Sequence, residues 1–97
     1  MKKLSEQLIA AASEGNFEKV KELVKQGADV NAVDEDGYTA LMYTAGHGNL
    51  DIVKYLIEDH GADVNAEAEY GDTALLNAEE EGHSDIAEYL KQKMEKS

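Results

Sequence analysis

An internal repeat is the feature that most constrains how this chain can fold. The six residues GADVNA occur at 27–32 and again, letter for letter, at 61–66. Around them, GNFEKVKEL (15–23) aligns with GNLDIVKYL (48–56) and with GHSDIAEYL (82–90), at offsets of 33 and 34 residues. Self-similarity at a period near 33 residues indicates that the chain is built from stacked copies of one small structural unit.

Each copy of the repeat has the pattern of two short helices followed by a turn. Val20, Leu23 and Val24 lie at helical spacing in the second helix of the first copy, and the same pattern recurs 33 residues later. A single helix pair cannot bury its apolar face alone, so neighbouring pairs must stack. The pattern therefore predicts one all-α solenoid domain spanning 1–97. Its predicted units are residues 1–32, 33–66 and 67–97.

The helix boundaries are also readable from the sequence. Asparagine and threonine side chains accept hydrogen bonds from the free amides of a first turn, and glycine tolerates the positive φ that often follows a helix. His60 lies at a one-residue insertion in IEDHGADV (57–64), which should lengthen or bulge the end of that helix. The predicted N-caps are Asn16, Asn49, Thr39 and Thr73, and the predicted helix-terminating glycines are Gly27 and Gly61.

Charge narrows the class of partner. The net charge is −12, and the excess lies after residue 32: residues 33–66 carry one lysine against seven acids, and residues 67–97 carry three against nine. The chain has no arginine, so it lacks the forked side chain that reads phosphates and guanine edges. The composition excludes a nucleic acid partner and predicts that a basic protein would be steered toward residues 33–97.

The sequence also lacks cysteine and any long apolar segment, which limits the sites and the cellular locations that are possible. There is no cysteine, which excludes disulfides, thiolate metal sites and a cysteine nucleophile. No apolar run approaches the roughly 18 residues of a membrane span, and polar residues interrupt the start MKKLSEQLIAAASEG. We expect a cytoplasmic protein with no membrane association, or a recombinant protein with no native compartment.

The repeat resembles a known family. Residues 36–66, DGYTALMYTAGHGNLDIVKYLIEDHGADVNA, resemble an ankyrin repeat, whose pattern is G-x-T-P-L-H-x-A-A-x-x-G-H followed by a second helix and G-A-D-V-N. The resemblance covers about residues 4–93 and places the first and last units in capping positions. It implies helix-turn-helix units joined by short hairpin-like loops, with turn tips and inner helices forming a concave surface that binds proteins without catalysis. We expect a monomer by default, with no cofactor and no metal.

The resemblance also indicates which side chains face the groove. Tyr38 and Tyr70 suit an anchor role, since tyrosine supplies rigid area and one hydroxyl at low entropic cost; the alternative is that each packs beside its own turn. A three-unit groove offers a footprint of about 800 Å² per partner. The predicted partner is a protein with a basic or mixed surface. The predicted contact residues are Glu35, Asp36, Tyr38, His47, Glu69, Tyr70, Asp72, Glu80 and Glu81.

A hydrolase-like site is one alternative. Ser13, His47 and Glu81, or Glu80 in its place, fall at near-equivalent ends of the inner helices, where they could act as nucleophile, base and orienting acid. Helix axes stack about 8–10 Å apart, whereas each hydrogen bond of a triad is about 2.6–3.2 Å long. The expectation is therefore no enzymatic activity.

A metal site is the second alternative. Glu79 and His83 are four residues apart, which puts two ligands on one helical face. Gly82 lies between them and is predicted to end the helix, so that His83 precedes the next helix as Asn16 and Asn49 do. The absence of proline, cysteine and arginine fits an engineered scaffold carrying such a site, or one made for stability with no partner, as well as a natural acidic protein.

Two further expectations concern single positions. Glu79 shares a helical face with Leu75 and occupies the place that Ala45 and Ala12 hold in the earlier units. Burying an unpaired carboxylate costs roughly several kcal/mol. Glu79 is therefore predicted either to extend past the edge of the last helix pair into solvent or to interact with a partner side chain. The resemblance also implies that the turn residues Asn31 and Asn65 are possible targets of an asparaginyl hydroxylase; the alternative is a purely structural role in the turns.

Overall fold

The predicted all-α class is confirmed. The structure is a computed structural model that describes residues 3–96, and all regular secondary structure in that range is helical. The chain ends at Met1 and Ser97, and with them the outer limits of the predicted first and last units, lie outside the described residues. The helices are α1 (Leu4–Glu14), α2 (Phe17–Lys25), α3 (Ala40–His47), α4 (Leu50–Lys54), the π-helical segment π1 (Tyr55–Asp59), α5 (Ala74–Glu80) and α6 (Ser84–Lys96).

Side-chain caps begin three of the helices as predicted. The side-chain oxygens of Asn16, Thr39 and Thr73 each accept a hydrogen bond from the amide three residues later, at 3.2, 3.3 and 3.1 Å. Asn49 is the N-cap residue of α4, as predicted, but its side chain makes no capping hydrogen bond. A Cβ built at Gly15 would lie 3.1 Å from the Asn49 amide nitrogen, so this side chain instead packs on the turn of the preceding helix pair.

The helices pack as three pairs in a row. The inner helices α1, α3 and α5 lie side by side, α1 packs on α2, α3 on α4, and α5 on α6. One continuous apolar core runs through all three pairs, and the hydroxyl of the buried Thr44 is satisfied by the Leu41 carbonyl at 3.0 Å. Within residues 3–96, no helix is both long and apolar enough to cross a bilayer. The largest fully buried apolar side chains are Leu8, Val20, Leu23, Leu41, Met42, Ile52, Val53, Leu56, Ile86 and Leu90.

Hydrogen bonds also join the loops of neighbouring pairs. The side-chain oxygen of Asn31 accepts a hydrogen bond from the Asp63 amide at 2.7 Å. The Glu69 amide donates to the Asp36 carbonyl at 3.2 Å. Asn31 therefore fixes one loop to the next, which gives it a structural role, while the corresponding Asn65 is exposed at the loop surface. These bonds hold the turn tips at a fixed spacing along one edge of the stack.

The extra residue near His60 is accommodated by π1. In the first pair the Ala28 amide donates to the carbonyl of Leu23, five residues earlier, at 3.1 Å; in the second pair the Ala62 amide donates to that of Leu56, six residues earlier, at 2.9 Å. The π-helical turn takes up the added residue. The chain after it returns to the same packing, since Ala62 is as buried as Ala28.

Deleting His60 is therefore expected to leave the stack folded, with the free energy of unfolding changed by about 1 kcal/mol or less. The shortened chain can close the same loop as the first pair does. Deleting Lys21 from α2 is the matched control, since it rotates Leu23 by about 100° out of the core and should cost more than about 2 kcal/mol. Urea unfolding of both variants measures the difference, and comparable losses would contradict this account of π1.

Candidate protein-binding groove

The inner helices and the loops before them form two depressions on one side of the stack. The first, which we call the acidic depression, has a volume of about 620 Å³ and lies at the N-terminal end; its lining residues are Glu6, Val33, Asp34, Glu35 and Asp36. The second, the tyrosine pocket, has a volume of about 250 Å³ and lies between α3 and α5. Its lining residues are Tyr38, Met42, Tyr43, Gly46, His47, Asn77 and Glu81.

Two tyrosines form one wall of the tyrosine pocket. The ring centroids of Tyr38 and Tyr43 are 5.3 Å apart, with an angle of 41° between the ring planes. The Tyr38 hydroxyl donates a hydrogen bond to the Asp72 carboxylate in the next loop, and the Tyr43 hydroxyl donates one to Asp34 at 2.5 Å. Each ring is therefore held at its face by its neighbour and at its hydroxyl by a carboxylate.

The same hydrogen bonds shift the pKa values of these groups. The hydrogen bond to Asp72 raises the pKa of Tyr38 to about 12, and the one to Asp34 raises the pKa of Tyr43 to about 12, because a carboxylate favours the neutral hydroxyl. Burial raises the pKa of Asp34, but hydrogen bonds from the Tyr43 hydroxyl and from the amides of Tyr38 and Asp36 outweigh it and hold that pKa below its ordinary value.

The raised pKa values of the tyrosines and the lowered pKa of Asp34 imply that their contributions to stability are lost in different pH ranges. For Tyr38 and Tyr43 the folded pKa lies above the unfolded value of 10.0, so their stabilisation is present below pH 10 and is lost as the pH rises toward about 12. For Asp34 the folded pKa lies below the unfolded value of 3.8, so its stabilisation is present above that pH and is lost as the pH falls through the folded pKa.

Asp72→Asn is expected to lower the pKa of Tyr38 from about 12 back toward 10.0. The substitution removes the negative charge that disfavours the phenolate and leaves the ring in place. Ultraviolet absorbance of the phenolate during alkaline titration measures the shift. Glu69→Gln removes one negative charge from the same loop without touching Tyr38 and is the control. An unshifted titration in Asp72→Asn would contradict the hydrogen bond between Tyr38 and Asp72.

The structure brings some of the predicted contact residues together and separates others. Tyr38 and Asp72 are hydrogen-bonded to each other across neighbouring loops. Tyr70 is 90% exposed at the tip of the last loop. Glu69 reaches the neighbouring loop through its backbone amide. The remaining predicted contact residues lie in three places. Glu35 and Asp36 line the acidic depression, and His47 and Glu81 line the tyrosine pocket. Glu80 lies on the exposed surface of α5.

Sequence reasoning missed several residues of the groove. Tyr43 and Asn77 line the tyrosine pocket, and Asn77 also donates its side-chain amide to the Met42 carbonyl at 3.3 Å. The signal was present, because Tyr43 lies four residues before His47 and Asn77 four residues before Glu81, so each pair shares a helical face. Placing His47 and Glu81 in the groove therefore implied the other two.

The residues of the hydrolase-like alternative do not meet. The Ser13 hydroxyl donates to the Ala10 carbonyl of its own helix at 2.8 Å. Within the described part of the chain, the imidazole of His47 has no hydrogen-bond partner. No nucleophile and base are in hydrogen-bond contact here, and the arrangement offers no chemistry of the triad type.

Glu79 and His83 do not form a metal site. Glu79 is exposed and forms an ion pair with Lys91 of α6 at 3.6 Å, which is one of the two outcomes predicted for this carboxylate. Lys91 is the partner that the sequence did not identify, and such a half-exposed pair contributes about 1 kcal/mol or less. His83 precedes α6, as predicted, and its ring packs against Gly48. Among residues 3–96 there is no cluster of three histidine or acidic side chains arranged to hold a metal ion.

Comparison with known proteins agrees with the stacked helix pairs. A family model for ankyrin repeats matches residues 8–97 in three copies. An ankyrin repeat protein of Rickettsia felis is 47% identical over 51 residues, which is 53% of this chain and 81% of that protein. The human Notch-regulated ankyrin repeat-containing protein is 52% identical over 44 residues, 45% of this chain and 39% of that protein. The model spans nearly the whole chain, and the chain therefore belongs to the ankyrin repeat family, whose repeats mediate protein–protein interaction.

Proposed function

We propose that this protein is a non-enzymatic binding module that holds a protein partner with a basic or mixed surface in its acidic concave groove and on its turn tips. The observation that carries the proposal is the one-sided charge of the groove. The two segments that build it, residues 33–49 and 67–83, contain three and six acidic residues and no lysine. This concentration of negative charge in the groove attracts a cationic surface and repels an anionic one such as nucleic acid or an acidic membrane.

The position of the lysines supports the same assignment. Five lysines lie within residues 1–32, one lies in α4 and three lie in α6, so that residues 55–90 contain none. No groove carboxylate is paired with a lysine, because the only ion pairs among the described residues join Lys21 to Glu18 and Lys91 to Glu79, both outside the two depressions. A partner can supply the missing cations.

Tyr70 gives the surface an anchor. Its ring is 90% exposed at a loop whose backbone is tied to the preceding loop, so it is rigidly presented and costs little entropy to bury. The proposed contacts are the nine predicted residues together with Asp34, Tyr43 and Asn77. The proposal includes the division into units 1–32, 33–66 and 67–97, a monomeric state and a cytoplasmic setting.

The test is capture of a protein partner with immobilised wild-type protein and with a groove variant, Tyr70→Ala combined with Glu81→Gln. We expect the groove variant to reduce recovery of the partner by about tenfold or more, since anchors dominate interface energy. Glu22→Gln on the exposed face of α2 removes one negative charge away from the groove and should leave recovery unchanged. Raising the salt from about 50 to about 300 mM should weaken binding.

Recovery that is indifferent to the groove variant and sensitive to Glu22→Gln would overturn the proposal, since it would place the partner on the outer helices.

A further inference from the structure

We propose that the tyrosine pocket receives an arginine side chain of the partner, in preference to lysine. This inference rests on the proposed function and specifies the chemistry that one part of the groove recognises. It follows from four features of the pocket: its open floor, its aromatic wall, its unpaired carboxylate and the absence of an internal cation.

The floor of the pocket exists because residue 46 is glycine. A Cβ built at Gly46 would lie 3.6 Å from the Asn77 Cβ, so any longer side chain would fill the space between α3 and α5. The equivalent positions in the other pairs carry Ser13 and Glu80. The opening is therefore specific to the middle pair, where it gives one long side chain room to enter between the two inner helices.

The wall is an electron-rich aromatic surface. The hydroxyls of Tyr38 and Tyr43 donate hydrogen bonds to Asp72 and Asp34. A phenol that donates a hydrogen bond to a carboxylate carries more negative charge on its ring. Such a face attracts a cation placed over it. The carboxylates themselves sit at the hydroxyl ends of the rings and add to the negative potential at the wall.

The chain satisfies similar aromatic faces elsewhere with its own lysines. On the outer helices, Lys54 and Lys93 lie over the ring of Tyr89 with 5.6 and 5.4 Å between nitrogen and ring centroid. Lys21 covers the ring of Phe17 at 4.4 Å. Over the described residues, neither tyrosine of the pocket has a cation of this kind, so the pocket leaves this contact for a cation from outside.

The rim supplies the acceptor that selects arginine. The carboxylate of Glu81 lines the pocket and makes no hydrogen bond or ion pair with the described residues. A guanidinium is flat, so it can stack on Tyr38 or Tyr43 while it donates two parallel hydrogen bonds to one carboxylate. An ammonium group is compact and strongly hydrated, and it can make only one of these contacts well. Arginine is therefore the better occupant.

The first experiment uses defined probes. Acetylated Gly-Gly-Xaa-Gly-Gly amides with arginine, lysine or citrulline at the centre are titrated into the isotope-labelled protein at low salt and about pH 8. We expect the arginine peptide to bind with a dissociation constant of about 1–10 mM and the lysine peptide about fivefold more weakly. Citrulline keeps the shape and loses the charge, so it should not bind measurably. Amide shifts should centre on Tyr43, Gly46 and Asn77.

Variants of the pocket test the location. Gly46→Leu should abolish arginine binding by filling the floor, and it is compatible with the helix because this glycine does not have positive φ. Glu81→Gln should weaken binding about fivefold, whereas Glu88→Gln, which removes one exposed charge from α6 outside the pocket, should weaken it less than about twofold. Circular dichroism checks the fold, and if Gly46→Leu does not fold, the two glutamine variants still decide the matter.

The failures of the two proposals are distinguishable. Equal binding of the arginine and lysine peptides, or equal effects of Glu81→Gln and Glu88→Gln, would overturn the arginine pocket. A captured partner that is lost with Tyr70→Ala and Glu81→Gln together but unaffected by Gly46→Leu would overturn it too, and would leave the binding module intact. Arginine-selective peptide binding, together with recovery of a captured partner that the groove variant does not reduce, would support the arginine pocket and overturn the binding module.

Discussion

Met42→Ala is expected to lower the free energy of unfolding by about 2–4 kcal/mol, and Leu76→Ala by about 1 kcal/mol or less. The two residues occupy the same position in consecutive helix pairs. Met42 is 1% exposed because α5 packs over it, and Asn77 of α5 donates to its carbonyl. Leu76 is 43% exposed because no described helix covers α5 on its other side. The same truncation thus leaves a cavity in one case and shortens a half-exposed side chain in the other.

Urea unfolding measures both values, and an unchanged dependence on denaturant confirms that the comparison concerns stability alone. The pair is its own control, since register, helix position and side-chain class are matched. Equal losses for the two variants would show that stacking against the next pair contributes nothing at this position, which would contradict the packing of α5 on α3.

Gly37→Ala is expected to cost about 2–4 kcal/mol, against about 1–2 kcal/mol for Gly71→Ala. The two glycines lie at equivalent loop positions with φ of +81° and +83°. Both substitutions place an L residue in the left-handed region and pay the same steric penalty. At Gly37 the new Cβ would also lie 3.1 Å from the Glu69 nitrogen and 3.3 Å from the Ala68 Cα, whereas at Gly71 it would meet nothing within 4 Å.

The atoms that crowd Gly37 belong to the backbone, which cannot rotate away as a side chain can. Moving the loop of residues 68–72 would stretch the hydrogen bond from the Glu69 amide to the Asp36 carbonyl. The difference between the two alanine variants, measured by thermal or urea unfolding, isolates this loop-to-loop contact from the backbone penalty. No difference would mean that neighbouring loops do not press on each other at this point.

The fold could be predicted because it depends on local signals that recur. The duplicated GADVNA and the helical spacing of the apolar residues indicate a stack of helix pairs, and the threonine caps at Thr39 and Thr73 behave as their sequence context predicts. Asn49 has the same local context as Asn16 but is used differently, because the glycine turn of the preceding pair lies against its side chain. That contact depends on how two pairs stack, which one unit of sequence does not contain.

The groove could be predicted only in part for the same reason. The family resemblance predicts that Tyr38 and Asp72 face the groove, but their hydrogen bond joins residues 34 positions apart and depends on the spacing of the loops. Lys91 was missed as the partner of Glu79 because the pair forms only when α6 runs back along α5. Helical spacing from His47 was enough to predict Tyr43. The hydrogen bond from Tyr43 to Asp34 could not be predicted in this way, because it forms only where the turn brings two residues nine positions apart into contact.

The π-helical turn at Tyr55–Asp59 bears on how chains of this kind change over generations. A single added codon inside a stacked helix would ordinarily turn every later side chain away from its neighbour. Here the register is restored by Ala62, within a few residues of His60. The end of an outer helix is thus a place where a copy can gain or lose one residue in a single step and remain stackable. Copies of unequal length can therefore persist side by side in one array.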